Sequence, residues 1–449
     1  MESKFSLSKR VAALIVTAFI LFCTADITAL AAKPAVTAGA AILIDAETGN
    51  VLFEKNAQKK MYPASTTKIM TALVALDAVA AEQISLAQPL TLSDAAYKTL
   101  DPDGSSIALK VGESMTLEGL LQGLLIASGN DAAVTIAEGI SGTTEQFVAK
   151  MNEKAAALGL NDTHFVNPHG LHDEQHYTTA HDMARLAQYA MQNDTFRSIV
   201  ECAHIYLPAT NMMSDRRYFI NTNNLVSRMR YPYYYYEKAT GIKTGSTDQA
   251  GYCLVSSAED NGKSVIAVVF NAEDISVSHN ESKAILKHGL SDFTLKTLAK
   301  RDDIFGEVKV SQASDGTDHI LLSAKENLNA LFPNGGDTEK IEIECEIPEK
   351  VYAPIFAGQA IGKAKFIYEG KQIGEVDLCS TVEIKRHFLG FIASFGEWLW
   401  GFKAVKFVVY TALALVVAFV ALVIIGFSRA IKKSKRKKRR MNRYNPPRY

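Results

Sequence analysis

Residues 63–68, Pro-Ala-Ser-Thr-Thr-Lys, decide how this chain is assigned, because they open a helix with a serine and place a lysine three positions later. Residues three apart lie on one helical face, so the Ser65 and Lys68 side chains are within reach of each other. A serine hydroxyl becomes a nucleophile when a neighbouring base takes its proton. Lysine can be that base only while it is neutral, a state that burial beside another cation favours. The motif therefore predicts Ser65 as a nucleophile and Lys68 as its base.

The chain around this motif alternates between strand and helix patterns. Upstream, residues 40–44 and 51–53 are predicted strands of a hairpin that turns at Gly49-Asn50. The apolar spacing after Ser65 is helical, and similar patterns follow at residues 117–125, 132–138, 144–158 and 179–192. Predicted strands at 251–256 and 264–270 and a helix at 281–290 close the series. This order predicts an α/β (α+β) layered fold with a helical insertion.

A second motif, Ser128-Gly129-Asn130, lies in a predicted loop between two helical segments. A hydroxyl there can relay a proton, while the asparagine amide can hold a substrate carbonyl or position the lysine. The alternative is an ordinary turn followed by an asparagine that caps a helix. The spacing alone does not separate these two interpretations.

A third motif, Lys243-Thr244-Gly245, leads into the predicted strand at residues 251–256. Lysine and threonine at a strand edge can bind a carboxylate, and a glycine lets a substrate backbone lie flat against the strand. An ordinary β-turn is the alternative interpretation.

Residues 1–31 are predicted to be an export signal. Lys4, Lys9 and Arg10 precede an apolar stretch at residues 11–23, and Ala29-Leu30-Ala31 forms a small-residue cleavage site. An uncleaved membrane anchor is the alternative.

Residues 407–427 contain no charged side chain and are predicted to form a transmembrane helix. At about 1.5 Å per residue they span roughly 31 Å, the thickness of a bilayer core. Residues 386–406 carry Trp398 and Trp400 and are predicted as an interfacial segment, while residues 428–449 hold 11 Lys or Arg and no acid. The positive-inside rule therefore predicts a single-pass cell-membrane protein with a cytoplasmic tail and an extracytoplasmic catalytic domain.

The formal net charge of zero conceals a segregation of charge along the chain. Between residues 32 and 428 there are 34 Lys or Arg and 46 Asp or Glu, a net charge of −12. A domain this acidic is a poor partner for nucleic acid, so nucleic-acid binding is excluded from the prediction.

Residues 300–385 change to short alternating runs and are predicted to be a small all-β domain, either a spacer or a docking platform. Cys345 and Cys379 both fall in its predicted strands, and in an oxidising compartment they either form a disulfide or remain separate thiols. The run from Tyr233 to Tyr236 is interpreted either as a hairpin packing aromatic rings on alternate faces or as a grip on a substrate peptide.

The three motifs occur together in the order S-x-x-K, S-x-N and K-T-G, a set typical of penicillin-binding proteins and β-lactamases. Their surroundings at residues 128–132, 164–171 and 241–252 resemble the serine D-alanyl-D-alanine carboxypeptidases, which are low-molecular-mass penicillin-binding proteins. The resemblance implies a β-lactamase/transpeptidase-like catalytic domain at residues 32–293. A small all-β domain and a C-terminal membrane anchor would follow it.

Carried onto this sequence, the resemblance implies removal of the terminal D-alanine from peptidoglycan stem pentapeptides through an acyl-enzyme on Ser65. Its implied site consists of a nucleophile, a base, a proton relay, substrate-binding residues and the oxyanion hole of Ser65 and Ser246; these residues are Ser65, Lys68, Ser128, Asn130, Lys243, Thr244, Gly245 and Ser246. β-Lactam antibiotics would be covalent inhibitors, and no metal or cofactor is implied despite five histidines between residues 164 and 181.

One departure from the family concerns the substrate carboxylate. Many members carry an arginine about 30 residues after K-T-G that helps to hold this group, whereas residues 273–282 contain none, and His279 and Lys283 lie nearby. Two alternative functions remain open at this point, a β-lactamase and a penicillin-binding sensor without turnover. The sequence between Ser128 and Lys243 holds no E-x-x-L-N motif to supply the deacylating glutamate of a β-lactamase.

Overall fold

The computed structural model describes residues 33–386, 400 and 402–441, with side chains up to residue 437. The predicted export signal, most of the predicted interfacial segment and the end of the basic tail lie outside these residues. The chain divides into two compact units. The first comprises the chain up to Arg301 with Glu326–Glu344 and Ala364–Val376, and the second comprises Asp302–Lys325, Cys345–Lys363 and the chain from Asp377.

The described helices are a 3-10 turn at Ala64–Thr67, α1 Lys68–Ala80, α2 Asp94–Lys98, α3 Leu117–Ile126, α4 Asn130–Ser141, α5 Thr144–Ala157, α6 Ala180–Ala190, α7 Asp194–Val200, α8 Ile275–Ser291, a 3-10 turn at Thr338–Lys340, and α9 Lys403–Met441. The described strands are β1 Ala40–Asp45, β2 Val51–Lys55, β3 Pro89–Thr91, β4 Ser114–Thr116, β5 His204–Leu207, β6 Arg217–Ile220, β7 Ala239–Thr247, β8 Gly251–Asp260, β9 Lys263–Ala272, β10 Phe293–Ala299, β11 Ile304–Ser311, β12 His319–Ala324, β13 Leu328–Pro333, β14 Ile341–Glu346, β15 Lys350–Tyr352, β16 Ala360–Tyr368 and β17 Lys371–Ser380.

A five-stranded antiparallel sheet, in the order β2-β1-β9-β8-β7, forms the centre of the first unit. Its middle strand β9 reads as a nearly continuous apolar run because both of its faces are covered. Ile266 and Val268 pack into the core shared with the helical layer, whereas Ala267 and Val269 face the cluster that contains Ile285 of α8. The predicted layered α/β fold with a helical insertion is confirmed.

Helix α1 is the central helix of the helical layer. It packs against α3, α4, α5, α6 and α7, and almost every residue from Lys68 to Ala78 is buried. A helix that is apolar on all sides is stable only inside such a layer. The sequence predicted a helix from Ser65; in the structure, residues 64–67 form a 3-10 turn that packs against β7, and the α-helix begins at Lys68.

The loop at residues 164–171 packs closely against this 3-10 turn. Gly170 has a φ of +89°, and a side-chain carbon placed there would overlap the carbonyl oxygen of Ala64 and lie 2.8 Å from Thr67 Oγ1. Thr71 Oγ1 donates a hydrogen bond of 2.6 Å to the carbonyl oxygen of Pro168 in the same loop. The close approach of the two backbones therefore requires a glycine at position 170.

We expect Gly170→Ala to lower the free energy of unfolding by about 3 kcal/mol, because the added methyl group forces the loop away from residues 64–67. Gly159→Ala is the matched control, since Gly159 also has a positive φ of +70° but its nearest neighbour would be Arg185 Nη2 at 3.8 Å. That control should lose only about 1 kcal/mol. Equal losses in urea titrations of the two variants would contradict the close packing at Gly170.

Several local predictions were wrong. Lys243-Thr244-Gly245 lies at the sheet edge, as predicted, but inside a strand of its own, β7, rather than in a segment that leads into the strand at residues 251–256. The run from Tyr233 to Tyr236 forms turns instead of a hairpin, with Tyr233 65% exposed and Tyr234 buried against His279. Strand patterns rest on alternation, and neither a Thr-Gly-Ser-Thr stretch nor four consecutive tyrosines shows it.

The second unit contains β-strands and helix α9, and the predicted all-β segment at residues 300–385 contributes strands to both units. β12 pairs antiparallel with β11 and with the end of β17, and β15 pairs parallel with β11. Cys345 and Cys379 are both free thiols, and Cys345 Sγ contacts the carbonyl oxygen of Phe305 at 3.6 Å. The structure therefore favours separate thiols over the disulfide.

Helix α9 contains the apolar segment of the C-terminal region. Residues 403–437 are long and apolar enough to cross a membrane by length and composition, and none of the apolar window is buried in the protein. An apolar helix without a protein surface to cover it is a candidate for burial in lipid.

Candidate active site

The Lys68 amine is fully buried and meets three oxygen atoms. Its Nζ lies 2.8 Å from Ser65 Oγ, 2.7 Å from Asn130 Oδ1 and 2.7 Å from the carbonyl oxygen of His169. The asparagine and histidine oxygens can only accept, so a neutral amine donates its two N–H groups to them. Its lone pair then points at Ser65, whose hydroxyl can donate to it. The geometry is therefore that of a general base aimed at a serine.

The charge state of Lys68 is biased toward neutrality. Burial lowers the pKa of Lys68 well below its usual value, and the neighbouring Lys243 lowers it further. Asp131 opposes this shift. Desolvation and a nearby cation are the two effects that favour a neutral amine.

The second motif is held by a buried carboxylate. Asn130 is the first residue of α4, Ser128 precedes it with a φ of +64°, and the Asn130 amide donates a 2.8 Å hydrogen bond to the Ser105 carbonyl. Asp131 is buried and accepts hydrogen bonds from the Ser106 hydroxyl and from the backbone amides of residues 107 and 109. The Asp131 side chain therefore fixes a neighbouring loop and the start of α4 in one arrangement.

The third motif approaches Ser65 through the backbone of β7. A side-chain carbon at Gly245 would lie 2.8 Å from the Ser65 amide nitrogen and 3.0 Å from that of Thr66. Lys243 is fully buried, and burial lowers its pKa to about 7. Thr244 Oγ1 donates a hydrogen bond of 2.7 Å to Thr222 Oγ1.

The structure thus brings most of the predicted site residues together. Ser65, Lys68 and Asn130 are in direct contact, Gly245 packs on Ser65, and Lys243 acts on Lys68 through its charge. Ser128 is buried beside them, and Ser246 is exposed at the sheet edge opposite Tyr252. Among the described hydrogen bonds, none joins Ser128 or Ser246 to Ser65.

Sequence reasoning missed the segment at residues 221–224, which supports β7. Asn223 Nδ2 donates 2.7 Å to the Gly241 carbonyl, and the amide and side chain of Asn224 both lie 3.3 Å from His279 Nε2. His279 Nδ1 donates to the Ile275 carbonyl, so Nε2 accepts from Asn224. The run Asn-Thr-Asn-Asn shortly before K-T-G was a signal that could have drawn attention to it.

His279 therefore does not provide the cation missing after K-T-G. Burial lowers its pKa to about 4, which keeps the imidazole neutral, and both ring nitrogens are already hydrogen-bonded. The Lys283 amine donates a 2.8 Å hydrogen bond to the Tyr235 carbonyl.

Two of the five histidines at residues 164–181 connect their loop to residues 64–68. Val166 N–H donates to His176 Nδ1 at 3.1 Å, so His176 Nε2 carries the proton and donates to Thr67 Oγ1 at 2.8 Å. His169 contributes its carbonyl oxygen to Lys68, a role with no side-chain signal in the sequence. Within the described residues, no group of three potential ligands is placed to hold a metal ion.

We expect the protein to lose stability in mild acid because of His176. Burial lowers the pKa of its imidazole to about 4, although Asp173 opposes this shift, while the unfolded chain binds a proton near pH 6.5. The stabilising contribution is complete above pH 6.5 and falls as the pH drops toward 4, by up to about 3 kcal/mol. Urea titrations from pH 7.5 to 4.5 should show a shallower loss for His176→Gln. Parallel curves for the two proteins would contradict this assignment.

A serine just ahead of a buried helix, a buried lysine with a lowered pKa three residues later and a third motif on the adjacent sheet edge are the arrangement expected of a serine acyl-transfer site on an α/β scaffold. Residues 27–274 match the family described as D-alanyl-D-alanine carboxypeptidase, and residues 293–386 match the C-terminal domain of penicillin-binding protein 5. The chain belongs to the D-alanyl-D-alanine carboxypeptidase family and is a serine hydrolase of that class.

Curated relatives cover most of the chain. It is 34% identical over 364 residues to D-alanyl-D-alanine carboxypeptidase DacF of Bacillus subtilis, a match spanning 80% of this chain and 90% of that protein. It is 32% identical over 378 residues to DacC of Escherichia coli, spanning 83% and 89% respectively. These relatives favour the carboxypeptidase over the β-lactamase alternative.

Solved structures show the same architecture. Penicillin-binding protein 5 from Haemophilus influenzae superposes with a TM-score of 0.66 at 28% identity, covering 79% of this chain and 99% of that one. The S96A mutant of the Streptomyces K15 DD-transpeptidase gives a TM-score of 0.53 at 33% identity, covering 58% of this chain and all of that one. The transpeptidase-like catalytic fold with a following β-rich domain is therefore confirmed.

Proposed function

We propose that Ser65 is the nucleophile of this carboxypeptidase and Lys68 its general base. The observation that carries the proposal is the pairing of Lys68 Nζ with Ser65 Oγ at 2.8 Å, while two acceptor-only oxygens occupy the other amine positions. A lysine held in this way can take the serine proton without first losing one to solvent. Ser65 is partly exposed, so a substrate can reach its hydroxyl.

We propose acylation and deacylation at Ser65 with peptidoglycan stem pentapeptides as substrates. Ser65 Oγ attacks the carbonyl carbon between the last two D-alanines, and its proton passes to Lys68 Nζ. The C–N bond then breaks, and the leaving amine takes a proton from Lys68, relayed by Ser128. Water next attacks the ester and gives a proton to Lys68. This proton then returns to Ser65 Oγ as the acid product leaves.

We propose that the remaining motif residues bind the substrate. The backbone N–H groups of Ser65 and Ser246 would stabilise the oxyanion, and Asn130 would orient the substrate while holding Lys68. Lys243 and Thr244 would lie at the substrate carboxylate, beside Gly245. β-Lactam antibiotics would acylate Ser65 in the same way and remain attached.

We propose that α9 anchors the protein in the cell membrane, with the catalytic domain outside and the basic C-terminus in the cytoplasm. The exposed apolar surface of residues 407–427 and the basic residues that follow support this orientation. We also propose the division into an export signal at 1–31, a catalytic domain at 32–293 and a β-rich domain at 300–385. The interfacial segment at 386–406, the membrane span at 407–427 and the tail at 428–449 complete it.

We expect Ser65→Ala to abolish both release of D-alanine from a pentapeptide and formation of a covalent penicillin adduct, because the attacking oxygen is gone. Lys68→Met should slow both reactions by at least about 1,000-fold, since the base is removed while an apolar side chain still fills the buried site. Mass spectrometry of the penicillin-treated protein and a D-alanine assay measure the two effects. Residual adduct on the Ser65→Ala protein would contradict the assignment of the nucleophile.

A further inference from the structure

An open cavity of about 360 Å³ lies between the neighbours of the second and third motifs. Its lining includes Ala127, which directly precedes Ser128, and Thr222, which accepts the hydrogen bond from Thr244. Ser105, whose carbonyl oxygen accepts the hydrogen bond from the Asn130 amide, also lines it. A group that enters this cavity therefore comes close to both motifs.

Arg230 lines the same cavity and carries a full positive charge. It is exposed, and among the described residues it forms no ion pair with a carboxylate. Arg217 on β6 is different, because it is buried and paired with Glu113. The cavity thus contains a guanidinium that the protein itself does not neutralise.

The other cations near the site do not by themselves give a substrate carboxylate a partner with a permanent positive charge. Lys68 is fully buried and committed to Ser65, Asn130 and the His169 carbonyl. Burial lowers the pKa of Lys243 to about 7, which leaves it only partly charged at neutral pH. A carboxypeptidase must still recognise the free carboxylate next to the bond that it breaks, and a buried acceptor-only group needs charged or hydrogen-bonding partners.

We infer that Arg230 is the specificity-determining residue that binds the terminal carboxylate of the substrate, forming a paired hydrogen bond beside the Thr222–Thr244 contact. The inference rests on the proposed assignment of Ser65 and Thr244. The loop between β6 and β7 would then supply the cation for the carboxylate. Helix α8 does not supply it, since both ring nitrogens of His279 on that helix are hydrogen-bonded and its pKa is lowered to about 4. Arginine suits the task because its planar fork matches a carboxylate and keeps its charge at any physiological pH.

The chain offers a matched control two residues away. Arg228 lies in the same loop and is also exposed, but its guanidinium stacks on the Tyr235 ring at 4.1 Å. Replacing Arg228 changes the charge of the loop by the same amount without emptying the cavity. Arg230→Gln and Arg228→Gln therefore separate recognition at the cavity from a general electrostatic effect.

The test compares, in the full-length protein, a diacyl-Lys-D-Ala-D-Ala peptide with the same peptide ending in an amide. Arg230→Gln should lower kcat/KM for the carboxylate peptide by about 10- to 100-fold, the worth of one charge-assisted hydrogen-bonded pair. The amide peptide should be cleaved as by the unmodified protein, so the preference for the free carboxylate falls by the same factor. Arg230→Lys should retain part of the preference, and Arg228→Gln all of it.

Three outcomes would overturn the inference: an unchanged preference in Arg230→Gln, an equal loss for both peptides, or the same loss in Arg228→Gln. Acylation rates with benzylpenicillin and with its methyl ester provide an independent second readout of the same preference. Failure of the proposed function is a distinct result, because the unmodified protein would then release no D-alanine, or Ser65→Ala would still release it.

Discussion

The buried amine of Lys68 is the constraint on which the catalytic unit depends. An amine without water must find all of its hydrogen-bond partners within the protein, and here they come from three separate segments. Ser65 is on the same turn, Asn130 starts α4 and His169 belongs to the loop at residues 164–171. Each segment has to be placed within a few tenths of an ångström for these hydrogen bonds to form. The geometry of the site therefore depends directly on the packing of the helical layer.

Two glycines show how closely the neighbouring segments pack against residues 64–66. Gly170 lies against the Ala64 carbonyl, and Gly245 on β7 lies against the amides of Ser65 and Thr66. A side chain at either position would push the loop at residues 164–171 or strand β7 away from the 3-10 turn at residues 64–67. Ala64 itself has a φ of +47°, a conformation that an alanine keeps only when its surroundings determine it. Ser65, the proposed nucleophile, is therefore oriented by backbone contacts on two sides and not by helix α1 alone.

The sequence predicted the helical and sheet layers and the reactive side chains better than the contacts that hold those side chains in place. Apolar runs such as β9 and the spacing of Ser65 and Lys68 carry a periodic signal, because burial on known faces requires it. The His169 carbonyl carries none, since any residue supplies the same backbone oxygen. Lys243 and Thr244 were expected at a strand edge, but the bounds of β7 were missed, because its lysine, threonines and glycines do not show the alternation of a half-buried strand. The role of Asn224 toward His279 depends on a contact across 55 residues, which no local pattern contains.

Burial affects the cations near the site differently, so that they suit different roles: Lys68 and Lys243 are buried and have lowered pKa values, whereas Arg230 is exposed. Lys68 works as a base only if it is neutral, and both its burial and the proximity of Lys243 favour that state. The same burial lowers the pKa of Lys243 to about 7, so the group that helps Lys68 lose its proton is itself weakened as a partner for an anion. A permanent charge placed beside Lys68 in the interior would need its own costly compensation. A permanent charge that is exposed to water needs no such compensation. Arg230 is in that position, because it is exposed at the cavity that it lines.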